Sequence, residues 1–169
     1  APRVPLTRTA FAAAHVVTDP LAERDPWLGR PAVDWDATLG FRAWLFDQGL
    51  HLAEAMDTAQ RGMGVDWETA RELIERTMAL ARDHPLRPRV AAGAGTDHAG
   101  SLADANAILA AYTHQMEAIE RAGAQVILMA PRALPAIGAG PDIYARVYAR
   151  LIEQAAHPVI LHWLGEAFD

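Results

Sequence analysis

The chain contains no cysteine and no lysine, and each absence restricts its chemistry. All 15 residues counted as lysine or arginine are arginine. Without cysteine there is no disulfide framework, no zinc–thiolate site and no cysteine nucleophile. Without lysine, a Schiff-base lysine cannot lie within these 169 residues.

Basic runs and long apolar runs are also missing. The formal net charge is -6, which argues against a nucleic-acid-binding surface. No apolar stretch is long enough to span a membrane, and the first residues show no apolar core of a signal peptide. We therefore expect a cytoplasmic protein whose partner is a small molecule. The length and the 51% of hydrophobic residues fit one domain over residues 1–169.

Short apolar runs alternate with segments of helical periodicity. The runs predict strands near residues 11–17, 50–56, 90–95, 126–130 and 159–161. Helices are predicted over residues 35–48, 67–82, 101–121 and 142–154. Asp34 and Asp66 are expected to cap the first two helices, and Ser101 with Asp104 resembles a capping box for the third. Because each connection is long enough for a helix, the strands should be parallel.

Two α/β architectures fit five such units. One is an open, doubly wound sheet, and the other is the first five β/α units of a (β/α)8 barrel, which typically needs about 250 residues. The chain starts without methionine and stops soon after the last predicted strand. These features favour the N-terminal portion of a TIM barrel, with another segment or a partner subunit, in a homo-oligomer, covering the rest.

Polar residues follow every predicted strand. In parallel α/β proteins, functional sites gather at the carboxyl ends of the strands. The candidates are His15, Asp19, Glu54, Asp57, Thr58, Gln60, Arg61, Thr96, Asp97, His98, Arg132, His162 and Glu166. Histidine and carboxylate groups can bind a divalent metal, histidine can transfer protons near neutral pH, and Arg61 or Arg132 could hold a carboxylate or phosphate. Structural roles are open too, because His15 could be a core histidine and Asp97 with His98 could cap a turn.

Three segments carry a family resemblance. Residues 90–96 contain a third strand that ends in a Gly-x-Gly turn, residues 122–131 place a Gly-Ala pair before the fourth strand, and residues 158–161 read Pro-Val-Ile-Leu. In this order and spacing the chain resembles the dihydrodipicolinate synthase and N-acetylneuraminate lyase superfamily. Residues 54–64 and 161–166 resemble a divergent branch of it. The resemblance implies a TIM barrel and aldol-type chemistry.

The catalytic motifs depart from that family at several positions. Its Gly-Thr-Thr-Gly-Glu loop after the second strand is replaced by residues 56–60, where only Thr58 matches the carboxylate-binding role. Its proton-relaying tyrosine is replaced by His162, and its aromatic pair after the fourth strand by Arg132 and Ala133. The Schiff-base lysine of the family would fall beyond Asp169.

We therefore expect an aldolase-type lyase that acts on a small carboxylate or sugar-derived substrate. His162 would transfer the proton, and Thr58, Arg132, Asp57 and Asp97 would bind the substrate, with no cofactor favoured. The alternative is a barrel isomerase or aldolase that uses a divalent metal, held by ligands drawn from His15, Asp57, Asp97 or His98, His162 and Glu166. A third hypothesis is a binding protein that keeps the scaffold without chemistry, since one fold hosts many functions.

Overall fold

The structure, a computed structural model, describes residues 8–22, 31–130 and 132–163. Its five strands are β1 (Phe11–Ala13), β2 (His51–Glu54), β3 (Val90–Ala94), β4 (Gln125–Leu128) and β5 (Ile160–Leu161). Its helices are α1 (Trp35–Asp47), α2 (Trp67–Asp83), α3 (Ala105–Ala122), α4 (Ala133–Ala136) and α5 (Pro141–Gln154). Short 3-10 turns at Asp57–Ala59 and Asp97–Ala99 follow β2 and β3.

The strands form one sheet in the order β1-β2-β3-β4-β5. The pairs β1 with β2, β2 with β3 and β4 with β5 are parallel, with Phe11 opposite His51 and Ile127 opposite Ile160. In a doubly wound sheet the strand order reverses at a switch point, whereas here it follows the chain. The prediction of a partial α/β barrel is therefore confirmed.

The chain divides into two compact units, residues 1–92 and residues 93–169. In the first unit the largest fully buried hydrophobic side chains come from α1, β2 and α2, namely Phe46, Leu52, Leu73 and Ile74. In the second they come from α3, β4, α4 and α5, namely Ile108, Tyr112, Met116, Ile119, Leu128, Leu134 and Leu151. Within the described ranges, no helix is both long and apolar enough to cross a membrane.

Aspartates begin three of the helices. Asp34 and Asp66 accept hydrogen bonds from the N–H groups of Ala37 and Thr69, as predicted. The expectation that Ser101 opens α3 is wrong. Asp104 is the N-cap and accepts from Asn106 and Ala107, so the helix begins at residue 105. Because the carboxylate of Asp104 already accepts from two of the free N–H groups at the start of α3, Ser101 is not needed as a cap.

The buried face of α1 also differs from the predicted one. The sequence predicts an apolar face of Leu39, Phe41, Trp44 and Leu45, yet Trp44 is 54% exposed. The buried residues are Thr38, Arg42, Leu45 and Phe46. These four residues lie on one face of the helix, but Thr38 and Arg42 are polar. Apolar periodicity therefore predicts the neighbouring face as the buried one.

Candidate functional site

A pocket of ≈ 650 Å³ lies downstream of β1 and β2, and we call it the rim pocket. The described residues that line it come from three segments, which lie within residues 15–22, 31–33 and 60–65. The polar side chains that line it are His15, Thr18, Asp19 and Gln60, and Val16, Met63 and Val65 add apolar surface. His15 and Asp19 follow β1 while Gln60 follows β2, so the structure brings together strand-end residues that the sequence had predicted to meet.

A buried ion pair fixes the strand end on which His15 lies. Arg42 and Glu54 are both 0% exposed, and Arg42 Nε and Nη2 donate to the two carboxylate oxygens of Glu54 at 2.6 and 2.8 Å. The hydroxyl of Thr77 donates to the same carboxylate at 2.8 Å. Arg42 Nη1 donates to the carbonyl oxygen of His15 at 3.0 Å. Glu54 is therefore a support for the pocket and not a group that faces a ligand.

The loop after β2 is held in a compact form by Arg61. Ala55 and Gln60 have positive φ angles of 53° and 63°, which non-glycine residues rarely adopt. Arg61 is only 3% exposed; it donates to the carbonyl oxygen of Ala55 at 3.3 Å and its guanidinium carbon lies 5.0 Å from the ring centroid of Trp67. Because Arg61 is buried in these contacts, it builds the loop that presents Gln60.

The two residues predicted after β2 lie on the 3-10 turn at Asp57–Ala59. Asp57 is half-buried, and Thr58 is exposed. An exposed hydroxyl at a strand end is available to a ligand. The substrate-binding roles of Asp57 and Thr58 stay predictions.

In the second unit, a buried glutamine holds the residues that follow β3. Gln115 on α3 is 0% exposed, and its Oε1 accepts from the N–H of Gly95 at 2.7 Å. Its Nε2 lies 3.0 Å from Asp97 Oδ1 and 2.8 Å from His98 Nδ1. The ring of His98 stacks on His114 with centroids 4.8 Å apart. Asp97 and His98 are exposed but oriented, an arrangement that sequence reasoning missed because Gln115 lies in an otherwise ordinary helix.

His162 directly follows β5. Its backbone N–H donates to the carbonyl oxygen of Leu128 at 3.0 Å, which fixes the residue beside the end of β4. Its Nδ1 is buried and has no hydrogen-bond partner among the residues that the structure describes. Arg132 follows β4 and is exposed. Glu166 lies outside the described residues.

The family model described as "Protein of unknown function (DUF993)" matches residues 1–169. The chain belongs to the DUF993 family. No curated protein matches it.

The hypothesis of a divalent-metal site requires at least three ligand side chains that lie close together in the DUF993 chain. Among residues 8–22, 31–130 and 132–163, no three His, Asp or Glu side chains are grouped as a metal ion requires. The predicted ligands within these ranges therefore include no such group of three; they are His15, Asp57, Asp97, His98 and His162. Glu166 adds nothing to this comparison because its position is outside those ranges.

The contacts of Gln115 predict the tautomer of His98 in the DUF993 chain. The amide of Gln115 cannot be reversed, because its oxygen accepts from Gly95 N–H. Its nitrogen only donates, so His98 Nδ1 must accept, and neutral His98 then carries its proton on Nε2.

Two-dimensional ¹⁵N NMR should show this tautomer of His98. With Gln115→Glu the carboxylate accepts instead, so the proton should move to Nδ1, while the control Gln125→Glu leaves the spectrum of His98 unchanged. An Nδ1–H tautomer in the unmodified protein would contradict the assignment.

His51 lies at the opposite, amino end of β2 and gives a pH dependence. Its Nδ1 accepts from the N–H of Arg89 at 2.9 Å. Burial, and secondly the positive charge of Arg89, lower the pKa of His51 from 6.5. The unfolded chain therefore takes up the proton first as pH falls, so the stabilisation is present above about pH 6.5 and is lost below it. Urea unfolding between pH 7 and pH 5 should show a smaller loss in His51→Gln, and an equal loss would refute this.

Proposed function

We propose that this DUF993 chain is part of an aldolase-type lyase that acts on a small carboxylate or sugar-derived substrate. The strand order supports a barrel scaffold, and barrel enzymes place their reacting groups at the carboxyl ends of the strands. The resemblance of residues 90–96, 122–131 and 158–161 to dihydrodipicolinate synthase and N-acetylneuraminate lyase supports the same class of reaction.

The observation that carries the proposal is the imidazole of His162. Cleavage of a carbon–carbon bond by aldol chemistry requires removal of a hydroxyl proton and return of a proton to carbon, so a group that titrates near neutrality is needed. His162 has its backbone anchored on Leu128 and a buried Nδ1 that no described residue uses. The buried nitrogen of a histidine with a purely structural role would be expected to form a hydrogen bond.

The remaining roles follow from side-chain chemistry. The exposed guanidinium of Arg132 is suited to a carboxylate, which it can hold through two parallel hydrogen bonds. The hydroxyl of Thr58, at the carboxyl end of β2, is suited to a substrate oxygen. Asp57 and Asp97 are proposed to bind the substrate's hydroxyl groups. Because the chain has no lysine, a Schiff-base mechanism requires a lysine outside residues 1–169.

Proton exchange is the most direct test. The natural protein that carries these residues would be incubated with pyruvate in D₂O, and loss of the methyl proton signal followed by NMR. We expect exchange that depends on the protein, together with a borohydride-trapped lysine adduct found by mass spectrometry. Proton exchange without a lysine adduct would indicate a lyase that does not use a Schiff base. Loss of the exchange when a chelator is added would indicate the metal-dependent form. No exchange with pyruvate or other 2-oxo acids would overturn the proposal.

A further inference from the structure

The described walls of the rim pocket are held together mainly by backbone pairing. Thr18 pairs antiparallel with Val33, the N–H of Asp19 donates to Ala32 O at 2.8 Å, and the N–H of Asp34 donates to Val17 O at 2.9 Å. On the other wall, the carbonyl oxygen of Gln60 accepts from the N–H groups of Met63 and Val65. These bonds satisfy the backbone within the walls, so the polar side chains are not needed to hold the loops together.

Three of those side chains make no hydrogen bond with any described residue. They are the imidazole of His15, the hydroxyl of Thr18 and the amide of Gln60. His15 touches the ring of Phe41 at a centroid distance of 4.9 Å, and this contact orients the imidazole without occupying either ring nitrogen. Asp19 accepts a hydrogen bond from the N–H of Leu21 at Oδ1, and none of the described residues donates to Oδ2. The pocket thus offers both donors and acceptors, spread over two walls.

The charge of the described lining residues disfavours one class of ligand. Asp19 is the one formally charged side chain among its described lining residues. Arg42 and Arg61, which support the same strand ends, are buried against Glu54 and Trp67 respectively. A carboxylate or phosphate group in the pocket would meet the negative charge of Asp19, and no described lining residue supplies a positive charge to offset it. Anionic ligands are therefore disfavoured there.

The remaining choice is between a cation and a neutral polar molecule. A bound cation is normally held by several carboxylates or by aromatic rings over its face, and the described lining has one carboxylate and no Phe, Tyr or Trp. Apolar surface from Val16, Met63 and Val65 together with scattered donors and acceptors suits a molecule with hydroxyl groups on a hydrocarbon chain or ring. The volume of ≈ 650 Å³ falls in the range of about 300–1,000 Å³ of small-molecule sites.

We propose that the rim pocket binds a neutral polyhydroxylated compound, a sugar or sugar alcohol, through His15, Thr18, Asp19 and Gln60. The proposal does not depend on the lyase reaction, because it concerns binding in the first unit alone. A positive result with no proton exchange from pyruvate would support the third hypothesis, a sugar-binding protein on a barrel scaffold. Proton exchange from pyruvate without polyol binding would support the lyase proposal and refute polyol binding in the rim pocket.

A matched set of probes tests the charge argument. Sorbitol, gluconate and glucamine share a six-carbon polyol chain and differ at one end, which is neutral, anionic or cationic. Mannitol, ribitol and xylitol vary the stereochemistry and length of the neutral chain. We expect at least one neutral polyol to bind with a Kd of about 1–10 mM, measured by calorimetry and by shifts of the His15 and Gln60 NMR signals. Gluconate should bind at least about tenfold more weakly than sorbitol, the equivalent of one lost hydrogen bond.

Variants locate the binding in the pocket. Thr18→Val removes one hydroxyl at constant shape and should weaken polyol binding by about tenfold, while Thr113→Val on α3 should not. Gln60→Asn suits the positive φ angle and shortens the reach of the amide, so it should also weaken binding. Asp19→Asn keeps the hydrogen bond to Leu21 but removes the charge, and the difference between sorbitol and gluconate should shrink.

Several outcomes would overturn the inference. The inference is wrong if no neutral polyol binds, or if gluconate binds as tightly as sorbitol. It is also wrong if glucamine binds at least about tenfold more tightly than sorbitol. Polyol binding that Thr18→Val and Gln60→Asn leave unchanged would place the ligand elsewhere. Thermal unfolding of each variant with no ligand would establish that the fold is retained before binding is compared.

Discussion

Arg42→Met is expected to lower the free energy of unfolding by about 3–5 kcal/mol, the usual cost of removing one partner of a buried ion pair. The carboxylate of Glu54 would stay 0% exposed without its guanidinium, and its remaining donors among the described residues would be Thr77 and the N–H of Ala55. The carbonyl oxygen of His15 would also lose its donor. Since a domain of this kind is stable by about 5–15 kcal/mol, urea unfolding should show a large shift of the midpoint.

Arg76→Met is the matched control. Arg76 pairs with Glu72 at 2.7 Å, but both side chains are 40–44% exposed, so the expected loss is about 0–1 kcal/mol. The double variant Arg42→Met with Glu54→Met removes both charges and should be more stable than Arg42→Met alone. Equal losses in Arg42→Met and Arg76→Met would show that the buried pair does not have this role.

His162→Asn is expected to lower kcat of the proposed lyase by about 10²–10⁴-fold, the contribution that general acid–base catalysis usually makes. Asparagine keeps a polar side chain of similar reach but cannot take up or release a proton near neutral pH. KM should change much less than kcat, because the lost group transfers a proton and does not bind the substrate, and the pH dependence of kcat should change. Steady-state kinetics across a range of pH values would measure both effects.

Two further substitutions distinguish proton transfer from structural support. His162→Tyr puts a phenol at the position where the resembled family has its tyrosine, and it should retain more activity than His162→Asn. His157→Asn changes an exposed histidine that precedes β5, and it should leave kcat unchanged. If His162→Asn kept the activity of the unmodified protein, His162 would not be the proton-transfer group.

The sequence predicts most of the fold because the signals are local. Apolar runs fall on all five strands, and Asp34 and Asp66 begin α1 and α2 as expected. Strand ends are less well predicted, since β1 stops at Ala13 although the apolar run continues to residue 17. The short helix α4 is missed because its four residues, Ala-Leu-Pro-Ala, contain a proline and span about one helical turn.

The candidate sites depend on contacts between distant residues, which the sequence shows less clearly. The position of His15 after a strand predicts its place at a rim, but the rim pocket also needs residues 31–33 and Gln60, which come from two later segments. Arg42 and Glu54 are 12 residues apart on different elements, and Gln115 is 18 residues from Asp97. No local pattern marks a polar residue as the partner of another, so these supports become visible only in three dimensions.

The geometry of Arg42 and Glu54 has an evolutionary consequence for DUF993 proteins. A lineage that loses either residue alone keeps an uncompensated buried charge, so the intermediate is selected against. Replacement then requires two changes close together in time, or a first change elsewhere that lets water reach the pair. We expect the two positions to covary among family members, either as arginine with a carboxylate or as two apolar residues. Because Arg42 also holds the backbone of His15, lineages with the apolar pair should show altered residues around the rim pocket as well.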